Sequence, residues 1–187
     1  MTTAPRSTGW RVHLPTAVET RVRAIGRHDP GAPWPSARAL GAALAAGAAR
    51  SGPPRTVGGG RGLPLITGQP LRWAGVDLEL ECVADRCGVF ECDLVAPSWD
   101  ELVTAAAGEE EWWDLVDAVL AAVDARHGAV VDGGEALDPA EPSPALLRVR
   151  LRRHLGVLVP EHLTAAAGTG AVAYRSLPRS GLVLLLR

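Results

Sequence analysis

The sequence predicts an α+β fold, a mostly antiparallel sheet built from hairpins with helices packed on one face. Two hairpin patterns and one amphipathic helix carry that prediction. In the first pattern Val76, Leu78, Leu80 and Cys82 alternate with Asp77, Glu79 and Glu81. After a turn around Asp85–Gly88, Phe90, Cys92 and Leu94 alternate with Glu91 and Asp93. Pairing even positions with even positions gathers the apolar side chains on one face and turns an acidic face outward. The second pattern joins Ala171–Ser176 to Gly181–Leu186 over Leu177–Ser180. Its last strand is apolar on both faces, so it belongs inside a sheet. The helix is Glu109–Arg126, with Trp112, Leu115, Val116, Val119 and Val123 on one side.

The remaining elements follow in order. Trp10–Leu14 fits a short first strand. Thr16–Glu19 fits a capping box, which puts Val18, Val22 and Ile25 on a helical face. The same stretch alternates as a strand does, and both readings stay open. His28–Pro35 holds three Pro and a Gly and reads as a loop. Ser36 starts a small-residue helix to about Arg50. Ser51–Pro70 reads as a flexible Pro/Gly loop. Ser98–Glu101 is a second capping box, opening a helix to about Ala107. His127 and Gly128 close the long helix, and Asp132–Pro144 is a loop. Ala145–Leu155 alternates in part, yet Ser143-Pro144 and Gly156 bracket it with helix start and stop signals.

The 187 residues suit a single domain, 1–187, with the flexible loop at 51–70. Apolar residues make up 47% and charged residues 21%, enough for a core. The net charge of -2 argues against a general nucleic-acid binder. All 19 basic residues are Arg, which excludes a P-loop lysine and Schiff-base chemistry. The Gly-rich tract Val57–Gly62 lacks the spacing of a dinucleotide fingerprint. Met1–Trp10 is too polar for a secretory signal, and Leu182–Leu186 is too short to span a bilayer. The expected location is the cytoplasm, with three reduced Cys and no membrane partner.

Catalytic signals are sparse. Cys82, Cys87 and Cys92 lack the ligand set of a zinc site, and no metal or other cofactor is expected. Cys82 and Cys92 fit a core, which leaves Cys87, beside Arg86, as the reactive candidate. His13, His28, His127, His154 and His162 show no metal-binding spacing. Ser180 lacks the leading Gly of a nucleophile elbow and reads as a turn residue. Arg148, Arg150, Arg152 and Arg153 form the dense basic cluster, a solvated face or an internal partner for acids. A docking surface is the stronger candidate. Glu110, Asp114, Asp117 and Asp124 form an acidic stripe on the long helix, with Trp113 at its edge as an aromatic anchor. Such a surface steers basic partners.

The second half, about Trp99–Arg187, also resembles a family. It has the Trp-bearing helix Glu111–Val116, a loop through Gly128–Val131, the step Val159-Pro160 and the closing run Gly181–Leu185. These resemble bacterial polymorphic-toxin immunity proteins of the immunity protein 52 kind. The Arg-rich Leu147–His154 stands where that family has an aromatic-rich segment. The resemblance implies a small cytoplasmic α+β protein that is not an enzyme and neutralises a toxin domain. The leading expectation is therefore a protein-binding module whose partner is a protein, a basic toxin domain above all. Two alternatives stay open: a small enzyme using Cys87 or a His–carboxylate pair, and a scaffolding subunit dimerising through Ser36–Arg50. The oligomeric state is left open.

Overall fold

Alternation prevails over helical spacing near the start of the described chain: Thr20–Arg27 is a strand, β1. The computed structural model describes residues 19–27, 33–58, 65–84, 88–99, 101–102, 108–133, 136–168 and 171–186. The expected strand at Trp10–Leu14, the Thr16 cap, Val18, Cys87 and the helix beyond Leu102 lie outside these residues. After β1 come α1 (Pro35–Ala45), β2 (Ala49–Arg50), β3 (Arg55–Gly58) and β4 (Leu65–Trp73). Next are β5 (Val76–Ala84), β6 (Val89–Ala96), α2 (Glu109–Ala122) and β7 (Ala125–Asp132). The chain closes with α3 (Pro144–Arg153), β8 (Gly156–Pro160), a 3-10 helix (Glu161–Ala167), β9 (Val172–Leu177) and β10 (Leu182–Leu186).

All the strands join one antiparallel sheet, ordered β2-β4-β5-β6-β1-β7-β8-β10-β9, with β3 also on β4. Both hairpins form as the alternation implies. Cys82 pairs with Cys92 and Leu80 with Leu94, even with even. The apolar β10 lies between β8 and β9, which accounts for its two apolar faces.

The sheet buries apolar residues on both sides. One face carries Val22, Leu80, Cys92, Leu94, Val130, Leu158 and Leu184, packed with Ala39 and Ala43 of α1 and Trp112, Leu115 and Val119 of α2. The opposite face of β8 and β10 carries Val157, Val159, Val183 and Leu185 under Leu147 and Leu151 of α3. Leu137, in the loop before α3, covers Ile25, Ala129 and Val131 on the same side. Helices therefore cover both faces rather than one.

Three boundaries differ from the sequence reading. Residues 51–70 are not one loop, because β3 and the first part of β4 lie within them and pair with each other. The small-residue helix stops at Ala45, and Ala49–Arg50 pairs with β4 instead. Pro35 takes its first turn and Trp34 its cap position, with no capping side chain. The long helix stops at Ala122. The Val123 and Asp124 amides donate back to Val119 and Ala121, and Asp124 enters the left-handed region at φ 55°. Asp tolerates that conformation, and the chain reverses there into β7. Gly128 is then a mid-strand residue. A Cβ at this position would stand 2.2 Å from the Arg23 carbonyl oxygen, so only Gly lets β1 approach β7. Two caps form as read. The Glu101 amide donates to Ser98 Oγ at 3.1 Å, and the Leu146 amide to Ser143 Oγ at 3.2 Å.

Candidate functional site

The expected docking surface does not form as a unit. Trp113 is 2% exposed. Its ring lies against Trp99 at 5.8 Å between centroids, and its indole N–H donates to Glu109 Oε1 at 3.1 Å. The reason is the breadth of the buried side of α2. This helix packs on the sheet where the β9–β10 hairpin forms its edge, so the edge of the apolar side is covered too. Tyr174 of β9 also donates its hydroxyl to Glu109. Burial and the Glu109 bond both push the Tyr174 phenol up.

The acids do not act together. Glu110 is exposed, but its carboxylate accepts from Arg175 of β9. Asp117 is buried and holds the β9–β10 turn. It accepts the Arg179 amide at 2.9 Å, the Ser180 amide at 2.9 Å and the Ser180 hydroxyl at 2.7 Å. Ser180 is thus a turn residue, as its sequence context implies. Asp124 lies beyond the helix, in the turn to β7. Of the five residues proposed for docking, Asp114 alone is exposed on α2 with no ion pair among the described residues.

The outward acids of the first hairpin are also engaged. Arg21 and Arg23 of β1 project from the same face of the sheet. Arg23 donates to Asp93 at 2.7 Å and pairs with Glu91 at 3.2 Å. Arg21 pairs with Glu81 at 2.6 Å and with Glu19 at 2.5 Å. Arg55 of β3 reaches Glu79 at 2.9 Å. Burial pulls the Arg23 guanidinium down, but the bond and charge of Asp93 outweigh it and hold the cation. This face is a closed charge network.

The basic cluster is split as well. Arg150 turns inward and is 2% exposed. Its guanidinium donates to the Asp138 and Ala140 carbonyls, both at 2.6 Å, and to His127 Nδ1 at 3.2 Å. An arginine can only donate, so Nδ1 of His127 is unprotonated and Nε2 carries the hydrogen. Burial first, and the Arg150 charge second, lower the His127 pKa to about 4. The pair fastens the loop before α3 to β7 and occupies Nδ1 of His127. His154 is buried and His162 is exposed. No three His, Cys, Asp or Glu side chains gather as a metal site among the described residues.

A trough of about 680 Å³ lies open between α1 and α2. Ala42, Ala45 and Ala46 line one side, and Ala118, Ala121 and Ala122 the other. Side chains this small leave the space between two neighbouring helices unfilled. Leu115 and Trp73 of β4 form its floor. Glu111, Asp114 and Arg179 stand at its margin. Glu111 and Asp114 are exposed and have no ion-pair partner among the described residues. Sequence reasoning missed this trough. The alanines are visible in the sequence, but nothing in it says that α1 lies beside α2.

No helix among the described residues is long and apolar enough to cross a membrane. Compared with known proteins, the chain matches no family model, and no curated protein or solved structure matches it.

Proposed function

We propose that this chain is a protein-binding module whose docking site is the α1–α2 trough. One observation carries the reading: an apolar, alanine-lined channel with a tryptophan floor and, at its margin, two carboxylates without an ion-pair partner among the described residues. Helix-in-groove recognition uses this combination of an apolar channel and flanking charge. The complementary ligand is an amphipathic protein segment with small or branched apolar residues on one face and Arg or Lys beside it. Trp113, Asp117 and Glu110 support the trough from behind, since they fix α2 against the β9–β10 hairpin. The resemblance of the second half to toxin-immunity proteins makes a basic toxin domain the first partner class to test. A cytoplasmic setting belongs to the same proposal.

The test uses a toxin domain encoded beside this chain, mixed with the full chain. Binding is expected to protect amide hydrogens of α1 and α2 from exchange. Ala118→Arg fills the trough at a half-buried helical position, where Arg is a good helix former. It is expected to lower affinity at least about tenfold, or about 1.4 kcal/mol, with unchanged thermal stability. Full affinity in Ala118→Arg, with protection elsewhere, refutes the assignment of the trough.

The enzymatic reading rests on fewer observations. Cys87 lies outside the described residues. The buried His127 is engaged by Arg150, and no carboxylate is bonded to its ring among the described residues.

A further inference from the structure

Cys82 on β5 and Cys92 on β6 face each other directly across the antiparallel ladder. Both are buried free thiols. Their Sγ atoms are 3.4 Å apart, within thiol hydrogen-bonding distance. Residues directly opposed on two strands hold their Cβ atoms about 4.5–5.5 Å apart. A disulfide needs about 3.5–4.5 Å there and roughly 2.04 Å between sulfurs. A small local closure of β5 on β6 spans that difference, with no change of register.

The two sulfurs are not equivalent. Cys82 borders a small opening of about 10 Å³ beside Trp34, Ser36, Thr67 and Phe90. That is about the space of one water, and a peroxide enters with a slight shift of the surrounding side chains. The bond between the two sulfurs, followed by burial, pushes the Cys92 thiol up. Cys82 alone of the two borders the opening, which makes it the sulfur that meets an oxidant first.

The geometry points to a redox modification site: a small hydroperoxide converts Cys82 and Cys92 to a reversible cross-strand disulfide. In the first step the Cys82 sulfur, giving up its proton, attacks one peroxide oxygen. An S–O bond forms, the O–O bond breaks, and the leaving hydroxide takes the Cys82 proton and departs as water for hydrogen peroxide. Sulfur loses two electrons and peroxide gains them. In the second step Cys92 sulfur attacks Cys82 sulfur. An S–S bond forms, the S–O bond breaks, and the departing hydroxide takes the Cys92 proton as water. Two thiols and one hydrogen peroxide become one disulfide and two waters. The cross-link ties β5 to β6 in the core beneath α1. It uses no residue of the docking trough and stands independently of it.

The test treats the full chain, and a Cys87→Ser variant, with hydrogen peroxide. Remaining thiols are capped with iodoacetamide under denaturing conditions, and peptides are mapped without reduction. Expected is an intramolecular link between the Cys82 and Cys92 peptides, reversed by dithiothreitol. The oxidised form is expected to melt at a higher temperature than the reduced form, because the link restricts the unfolded chain. With Cys92→Ala added to Cys87→Ser, dimedone is expected to label Cys82. With Cys82→Ala added instead, Cys92 is expected to stay unlabelled while folded. Circular dichroism checks the fold of each variant, and if an alanine variant does not fold, the peptide map of Cys87→Ser decides. Capping of both Cys82 and Cys92 after peroxide in that variant overturns the proposal, as does a link formed only between molecules. Dimedone on Cys92 in preference to Cys82 overturns the order of attack.

Discussion

The Asp117 carboxylate accepts two hydrogen bonds from Ser180, its backbone amide at 2.9 Å and its hydroxyl at 2.7 Å. Sixty-three positions separate them along the chain. This contact makes an acid of α2 part of the β9–β10 turn rather than part of a binding surface. Removing it leaves the Arg179 and Ser180 amides without their acceptor. Asp117→Ala is expected to lower stability by about 2–4 kcal/mol, and Asp117→Asn by less, because one acceptor oxygen remains. Urea unfolding of the two variants measures the difference. An unchanged midpoint in Asp117→Ala is the outcome that contradicts the turn-holding role.

Arg23 and Asp93 form a pair of a different kind, buried on the sheet with the charge network around them. Desolvating two charges offsets most of their attraction, but leaving one of them alone is costly. Asp93→Ala and Arg23→Ala are each expected to destabilise by about 3–5 kcal/mol. Arg23→Met combined with Asp93→Leu is expected to regain most of that loss, because no lone charge stays buried. A double-mutant cycle in denaturant tests the coupling directly, and additive losses exclude it.

The contact between His127 and Arg150 gives a pH dependence with a definite sign. His127 has a folded-state pKa of about 4 against an ordinary value of 6.5. Between those values the unfolded chain binds a proton that the folded chain rejects. Stability is therefore complete above about pH 6.5 and falls as the pH drops toward 4. The loss is about 1.4 kcal/mol per pH unit within the window, about 3 kcal/mol in all. His127→Asn keeps an acceptor for Arg150 and cannot protonate, so this part of the slope is expected to vanish. Comparing the two proteins across pH 4–7 by thermal unfolding isolates it from the carboxylates, which titrate in both. Parallel curves for the two proteins refute the assignment.

Gly128 tests the packing of β7. Its missing side chain admits the Arg23 carbonyl, and a methyl group would meet backbone rather than a flexible tip. Gly128→Ala is expected to lower stability by at least about 2 kcal/mol, with β1 and β7 forced apart. A Cβ on Gly41 of α1 would meet nothing within 4 Å, so Gly41→Ala is expected to stabilise by up to about 1 kcal/mol. Melting temperatures of the pair, shifting in opposite directions, check both statements.

Much of the fold was legible in side-chain order. Alternation at Val76–Leu94 specified a hairpin and its register, and the two-sided apolar run Leu182–Leu186 specified an interior strand. The caps at Ser98 and Ser143 formed at their sequence positions. The segments that resisted were short or mixed. Leu65–Trp73 became a strand despite Gly68 and Pro70, and Ala125–Asp132 did so although His127 and Gly128 read as the end of a helix. Val157–Val159 is three apolar residues long, too short to stand out without a neighbour.

By itself the sequence determined the antiparallel α+β class, the two main hairpins and the amphipathic character of Glu109–Ala122, because each follows from contacts within a few residues. Tertiary structure alone decided which side of that helix stays wet. Trp113 and Asp117 are buried because Tyr174, Arg179 and Ser180 arrive from about sixty residues away. The trough exists because α1, distant in sequence, packs beside α2 with alanines along both walls. Periodicity reports how a segment divides its own surface, whereas burial depends on what the rest of the chain brings against it.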